Sequence, residues 1–374
     1  MTTTATSANA ATAATEPAPD ITPREQASHL LAHIAGFVGH RVVAIGLRQR
    51  LIQALADADT RTGISADELA ERLKLDPFYV AVWCRGAVAS GVCNGDGEPS
   101  SISLETRYRL APHVATLLLD TAHPAYVGGV FTVLEQHEVF DRFESVLGSG
   151  ERLWWDSCGP DWIAGVADTG LPFYTRLVPG GIAQVPGLAD QLDLGGRIVD
   201  TACGSGVGMV RLAHTYPNCE ILGVDGDRHS IELAERRLRD AGVMDRCRLV
   251  HSPLEAMAID EQAACVINNI SMHECRNIDR VTRNIRAALE PGGWFVISDF
   301  PFPESLDALR SVPGRVMSGI QFFEAQIDDQ LLPRTAYDDL LARHGFVDIG
   351  HVDLTPVHAI TYGRTPASGG PVRP

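Results

Sequence analysis

Ile198-Val199-Asp200-Thr201-Ala202-Cys203-Gly204-Ser205-Gly206 is the stretch on which the fold of this chain turns. An apolar run reaches a carboxylate, a Gly-x-Gly bend follows, and a helix is expected from Val207. Nineteen residues beyond Gly206 a second apolar run, Glu220-Ile221-Leu222-Gly223-Val224, closes on Asp225. Strand, helix and strand in that order form a β-α-β unit. Its two strand ends lie side by side at the crevice where open α/β sheets take their ligands. Glycines at the bend let the backbone approach a ligand. An acid at the second strand end suits both hydroxyls of a ribose. The pattern implies a nucleoside-containing ligand.

The glycine spacing narrows the choice. A dinucleotide fingerprint needs glycines at G-x-G-x-x-G, whereas here they stand at 204, 206 and 208, with Met209 in the next place. Asp200 also sits badly beside a pyrophosphate and well beside a sulfonium or ammonium. With Asp225 at the right distance, this resembles the class I S-adenosylmethionine-dependent methyltransferases over 190–362, and more loosely over most of the chain. The resemblance implies S-adenosylmethionine as cofactor. It assigns Asp200, Ala202, Cys203, Gly204, Ser205, Gly206, Asp225, Gly226, Ser252, Pro253, Asn268 and Asn269 to its binding. Ser252 stands where most such enzymes carry an acid for the adenine amino group, and a hydroxyl accepts that hydrogen bond less strongly. Asn268 suits a supporting role as well as a direct contact.

The rest of the sheet can be followed in the sequence. Ser230 to Ala241 reads as an amphipathic helix; Cys247 to Val250 reads as a third strand and Ala263 to Ile270 as a fourth, buried on both faces. Ile278 to Leu289 is a helix stopped by Glu290-Pro291-Gly292-Gly293, and Trp294 to Ser298 is a fifth strand ending at Asp299. Tyr337 to His344 is the next helix, and Phe346–Leu354 with His358–Tyr362 alternate as a hairpin around Thr355-Pro356. "EPGGWFVISDF" and "LLARHGFVDIG" resemble the family's late motifs. The expected class is α/β, a doubly wound seven-stranded sheet with its last strand antiparallel. A mainly helical winged-helix-like domain precedes it.

That first domain carries its own signals. Gly46 to Ala56 is amphipathic. Ser65 and Glu68 form a capping box for a second helix, and Asp76-Pro77 opens a third that runs to about Ala89. Val92 to Tyr108 suits a two-stranded wing around Asn94-Gly95-Asp96-Gly97. Helix-turn-helix with a wing is a DNA-binding arrangement, but residues 41–110 hold nine basic and nine acidic side chains. A neutral module supplies few phosphate contacts. In the O-methyltransferases that the chain resembles, such a domain serves dimerisation, so a homodimer is implied. The expected boundaries are a disordered tail at 1–22, the winged-helix-like domain at 23–120, and a helical interdomain segment at 121–190. The cofactor-binding domain takes 191–364, and a second disordered tail 365–374.

Methyl transfer to a hydroxyl requires alignment and removal of a proton, and histidine suits that transfer at neutral pH. His273 in "ISMHEC" stands where the family carries its base, although Glu274 and Cys275 depart from the usual His-Asp-aromatic. The alternative is a loop histidine near the start of the helix at Ile278. A metal-assisted C-methyltransferase of 2-oxo acids is a second reading, with His137, His251 and His273 as candidates. No metal-binding spacing joins them, so no metal ligands are assigned. A ligand-sensing winged-helix regulator and a non-catalytic partner subunit complete the alternatives. The aromatics Trp154, Trp155, Trp162, Phe173 and Tyr174 read mostly as interdomain packing, with the lining of an apolar substrate pocket as the alternative. Phe300, Phe302, Phe322 and Phe323 flank a mainly irregular lid over the acceptor.

Composition sets limits. The chain has 374 residues and a formal net charge of −16, which disfavours nucleic acid or an anionic membrane as partner. Eight scattered cysteines read as reduced thiols of a cytoplasmic protein. No unbroken apolar run reaches the roughly 18 residues of a membrane helix, and no secretion signal opens the chain. The expected acceptor is a small molecule such as a secondary metabolite.

Overall fold

A computed structural model describes residues 21–58, 61–97, 101–153, 155, 158–260 and 262–367. The expected tails fall largely outside these residues, as does Trp154. The first helix, α1 (Pro23–Arg48), starts in a capping box: the Thr22 hydroxyl accepts from Glu25 N–H while the Glu25 carboxylate accepts from Thr22 N–H, and Pro23 fills the first turn. The sequence reading missed it, because Gly36, Gly39 and apolar residues on all sides hide its period. The expected segment from Gly46 to Ala56 is split by Arg50, left-handed at φ 60°, into the end of α1 and a short α2 (Leu51–Ala56).

Among the described residues, α1 is a helix long and apolar enough, by length and composition alone, to cross a membrane. Counting unbroken runs overlooked it because His29, His33 and His40 interrupt its apolar residues. Its second half packs inward at Val43, Ala44 and Gly46, the last of which lies against Trp83 and Ile52 with no room for a Cβ. Its first half is exposed.

The remaining elements of this part are β1 (Ile64–Ser65), α3 (Ala66–Leu73), α4 (Pro77–Ala89), β2 (Cys93–Gly95) and β3 (Arg107–Leu110). Ser65 and Asp76 cap the two helices as their sequence predicted. The strands pair antiparallel in the order β1-β3-β2, and Ile52, Leu69, Cys84 and Ala87 fill the core beneath them. Short helices α5 (Val114–Leu119), α6 (Gly128–Val133) and α7 (Asp141–Val146) follow. The long α8 (Pro160–Arg176) and then α9 (Leu188–Asp193) lead to the main sheet.

That sheet holds β4 (Gly196–Thr201), β5 (Cys219–Asp225), β6 (Cys247–His251), β7 (Ala263–Asn269), β8 (Leu289–Asp299), β9 (Val347–Thr355) and β10 (His358–Arg364). They lie in the order β6-β5-β4-β7-β8-β10-β9. β4 through β8 run parallel, and β10 runs antiparallel to both its neighbours. Alternate residues feed two cores. Ile198, Ile221 and Ile267 meet Met209 and Leu212 of α10 (Val207–Thr215) and Leu238 of α11 (Arg228–Asp240). Val199, Val266 and Phe295 meet α12 (Ile278–Ala288) on the other face. Burial on both sides is why these strands read as continuous apolar runs.

Two loop expectations fail. Glu290-Pro291-Gly292-Gly293 belongs to β8, where a register shift against β7 and Gly292 at φ +81° absorb the extra residues. The lid expected to be irregular is largely helical: α13 (Leu306–Arg310) and α14 (Val312–Glu324) precede α15 (Arg334–Arg343). Ser311 caps α14 by accepting from Gly314 N–H, so Pro313 and Gly314 sit in a first turn, where proline is tolerated.

Candidate active site

The site opens where β4 and β5 end beside each other, Thr201 opposite Val224. Past β4 the backbone turns through left-handed conformations at Ala202, Gly204 and Gly206, φ +57°, +51° and +77°. A Cβ on Gly206 would meet the Ala234 backbone at 2.9 Å, so α10 and α11 can close only over glycine. The Asp225 carboxylate holds the bend: it accepts from Gly204 N–H and from Asp227 N–H, each at 2.8 Å. Burial raises its pKa against the pull of those two donors.

A cavity of about 420 Å³ begins here. Of the residues assigned to the cofactor from sequence, Ala202, Cys203, Gly204, Ser205, Asp225, Gly226, Pro253 and Asn269 line it. Gly206 shapes the bend behind. Ser252 stands next to Pro253 with its N–H on the Asp225 carbonyl and its hydroxyl on the Pro253 carbonyl. Asn268 points elsewhere: its amide donates to Thr201 Oγ1 at 3.2 Å and accepts from Ser271, tying β7 to β4. Asn269 Oδ1 accepts from the Ser298 hydroxyl, while its buried Nδ2 has no partner.

Asp200 differs from its assignment. It is fully buried beneath the Tyr174 hydroxyl, which donates to both its oxygens at 2.8 and 3.1 Å, and Tyr174 rather than Asp200 forms the cavity wall. Burial pushes Asp200 up to about 7, the Tyr174 hydrogen bond opposes that, and Asp225 adds to it. A cationic group above Tyr174 favours the ionised carboxylate. Cofactor affinity should therefore climb as pH rises through about 7. Tyr174→Phe removes the bond that favours ionisation, so binding at neutral pH should weaken about tenfold and recover at higher pH. Calorimetry across this range checks it; identical pH profiles for the two proteins would sink the coupling.

At the other end the wall passes to Glu274 and Asp329, between the apolar side chains of Ile163, Val166 and Ile327. His273 lies behind Glu274, buried, in a loop that follows Ile270 in a left-handed conformation at φ 48°. Its Nδ1 lies 2.8 Å from Asp299 Oδ2, which also accepts from the Tyr337 hydroxyl at 2.6 Å. Its Nε2 is 3.6 Å from Glu324 Oε2 and 3.9 Å from Glu274 Oε1. Burial alone would lower the histidine's pKa; Asp299 and Glu324 together hold it well above 6.5. Burial, then Glu324, raises Glu274, and the same causes push Asp329 up to about 7. The other two histidines considered for a metal lie outside this cluster. His137 is exposed beside Asp141, and His251 faces the Gly226 carbonyl.

Sequence reasoning missed Glu274, Asp299, Glu324 and Asp329 as site residues, and weighed Tyr174 only as interdomain packing or pocket lining. Asp299 was available by the rule that singled out Asp200 and Asp225, since it too ends a strand. Trp155 stacks edge-on against Phe323 and also reaches the cavity; Trp162 packs on Phe323 and Phe173 on Phe300, as the packing reading expected.

The family described as "Methyltransferase domain" matches residues 198–293, the segment that builds this crevice. Among curated proteins, a sterol 4-C-methyltransferase of Caenorhabditis elegans is 26% identical over 113 residues, 30% of this chain and 34% of that protein. A bifunctional biotin biosynthesis protein of Teredinibacter turnerae is 28% identical over 126 residues, 32% of this chain and 22% of that protein. The matched part thus spans about a third or less of those relatives. Whole-chain likeness appears in solved structures. Human N-acetylserotonin methyltransferase, solved with S-adenosylmethionine, superposes with a TM-score of 0.67 at 14% identity, covering 91% of this chain and 98% of its own. An O-methyltransferase family protein from Burkholderia thailandensis gives 0.63 at 16%, covering 94% and 100%.

Residues 198–293 thus match a methyltransferase domain, and the chain as a whole shares its fold with solved methyltransferases.

Proposed function

We propose that this chain transfers a methyl group from S-adenosylmethionine to an oxygen of a small molecule. One observation carries the reading: a single cavity joins the Asp225–Gly204 bend to the Glu274–Asp329 wall. The residues fit the cofactor. Asp225 offers carboxylate oxygens to ribose hydroxyls, the bend at Gly204 and Gly206 allows close approach, and the orphaned Asn269 Nδ2 requires an acceptor such as a carboxylate. When bound, S-adenosylmethionine supplies a methyl group on a sulfonium whose departure leaves a neutral sulfur. Apolar Ile163, Val166 and Ile327 exclude water from the acceptor, which strengthens the electrostatic contacts inside. His273, with Glu274 and Glu324, deals with the acceptor's proton. Asp299 and Tyr337 fix the imidazole's orientation.

The exposed first half of α1 bears on partners. Leu30, Leu31, Ile34, Phe37 and Val38 are all more than half exposed, and a helix that leaves so much apolar surface in water gains by covering it. We read a second copy of this chain as what covers that face, in keeping with the dimerisation that the resemblance to small-molecule O-methyltransferases implies. DNA is disfavoured by the neutral charge of residues 41–110.

Methyl-labelled S-adenosylmethionine, incubated with the protein and the small-molecule fraction of its host's lysate, tests the proposal. Label in a small product is expected. Label recovered in nucleic acid or protein, or no transfer despite cofactor binding, overturns it.

A further inference from the structure

His273 Nε2 and Glu324 Oε2 are both buried without a hydrogen-bond partner. They face each other at 3.6 Å, and Glu274 Oε1 stands 3.9 Å from the same nitrogen. These gaps exceed a hydrogen bond, yet a dry site does not leave such atoms empty-handed, since each unmet polar group carries a desolvation cost. They match the edges of a coordination shell. Ligand atoms about 2.0–2.2 Å from one ion lie about 3–4 Å from each other, and one donor atom from each of His273, Glu274 and Glu324 falls within 4.8 Å of the others.

The surroundings are those of a metal ligand. Nδ1 of His273 lies 2.8 Å from an Asp299 oxygen that also accepts from the Tyr337 hydroxyl, so a cation taking the place of the Nε2 proton would find the ring already oriented. A carboxylate behind a histidine fixes the tautomer and ring plane in metal sites. Glu274, Asp299, Glu324 and Asp329 crowd one imidazole, with Arg276 acting on Asp329. A divalent cation would cancel that surplus of negative charge. Glu274 belongs to the cavity wall, so the position is reached from the acceptor side.

We propose that His273, Glu274 and Glu324 bind a divalent first-row transition cation at the end of the cavity, where it meets an oxygen of the methyl acceptor. One imidazole with two carboxylates suits manganese, iron or zinc better than magnesium or calcium, which favour oxygen alone. Three protein ligands leave positions for water or an acceptor oxygen. An acceptor hydroxyl held there ionises more readily, its proton passing to water in the cavity. The placement beside an acceptor rests on the proposed methyl transfer; the binding of the ion does not.

The full chain, stripped by a chelator and titrated with Mn²⁺ under electron paramagnetic resonance, should take up about one ion per chain, the stoichiometry of a single three-ligand site. Glu324→Gln and His273→Ala should each weaken uptake at least about tenfold, while the heat of S-adenosylmethionine binding stays within about twofold, far short of the loss of a direct contact. Where His273→Ala does not fold, Glu274→Gln on the cavity wall serves in its place. No saturable uptake of Mn²⁺, Co²⁺ or Zn²⁺, or unchanged uptake in the variants, overturns the site. A chain that binds the cofactor and no cation sinks this inference alone. A chain that takes up the cation without binding the cofactor sinks the methyl-transfer reading instead.

Discussion

Asp225→Ala should weaken S-adenosylmethionine binding by about two orders of magnitude. A carboxylate hydrogen bond contributes roughly 1.5–3 kcal/mol, and losing a ribose pair costs about 3 kcal/mol, or two decades in affinity. Part of the effect is indirect, because the same carboxylate holds Gly204 and Asp227 by their N–H groups. The cavity beside them admits water, which can take over those donors, so the fold should survive. Removing a carboxylate whose pKa burial has raised also relieves a desolvation cost. Asp225→Asn keeps one acceptor oxygen and should lose only about tenfold, roughly the value of one such bond. Calorimetry on both variants reads the ladder directly. Equal affinity in wild type and Asp225→Ala would place the adenosyl group elsewhere and remove the basis of the proposed function.

The cofactor half of the site was legible because it is written on consecutive residues. Strand ends and a glycine bend repeat a backbone solution, so Ile198 to Gly206 and Asp225 could be read without knowing what surrounds them. Asp200 shows where that reading stops. Its position at a strand end was right, but whether the carboxylate faces the cavity depends on Tyr174, which α8 delivers from 26 residues upstream. A Cβ on Gly208 would come within 2.0 Å of the Tyr174 ring, so that ring sits where it does only because the helix start is bare there. The far end was harder still. Glu324 sits at the close of a helix that the prolines near its start had concealed, and no local pattern couples it to His273, 51 residues away. Long-range pairs of this kind are set by how elements pack. Likewise α1 escaped notice because its apolar residues follow no single face, its exposed half lacking the buried stripe that periodicity detects.

His273→Ala should lower turnover by about 10²–10⁴-fold, the usual worth of a positioned proton-transfer group, while cofactor affinity stays within about twofold. The two ends of the cavity are physically separate, which is why the effects should divide. Asp225 and the glycine bend lie beside β4 and β5, whereas His273 is anchored to Asp299 at the end of β8. Removing the imidazole leaves Glu274 and Glu324 facing each other across a hole. The acceptor then keeps its alignment and loses whatever takes or displaces its proton. Proximity alone still accelerates the transfer, so a measurable residue of activity is expected. Asp299→Asn serves as the companion variant, since its carboxylate reaches the acceptor only through His273. It should slow turnover less than His273→Ala, because the ring remains but loses the partner that sets its tautomer. Turnover on the acceptor identified by label transfer, with cofactor affinity measured in parallel, reads both. Undiminished turnover in His273→Ala would move the proton step to another group, with Asp329 on the same wall the next to replace.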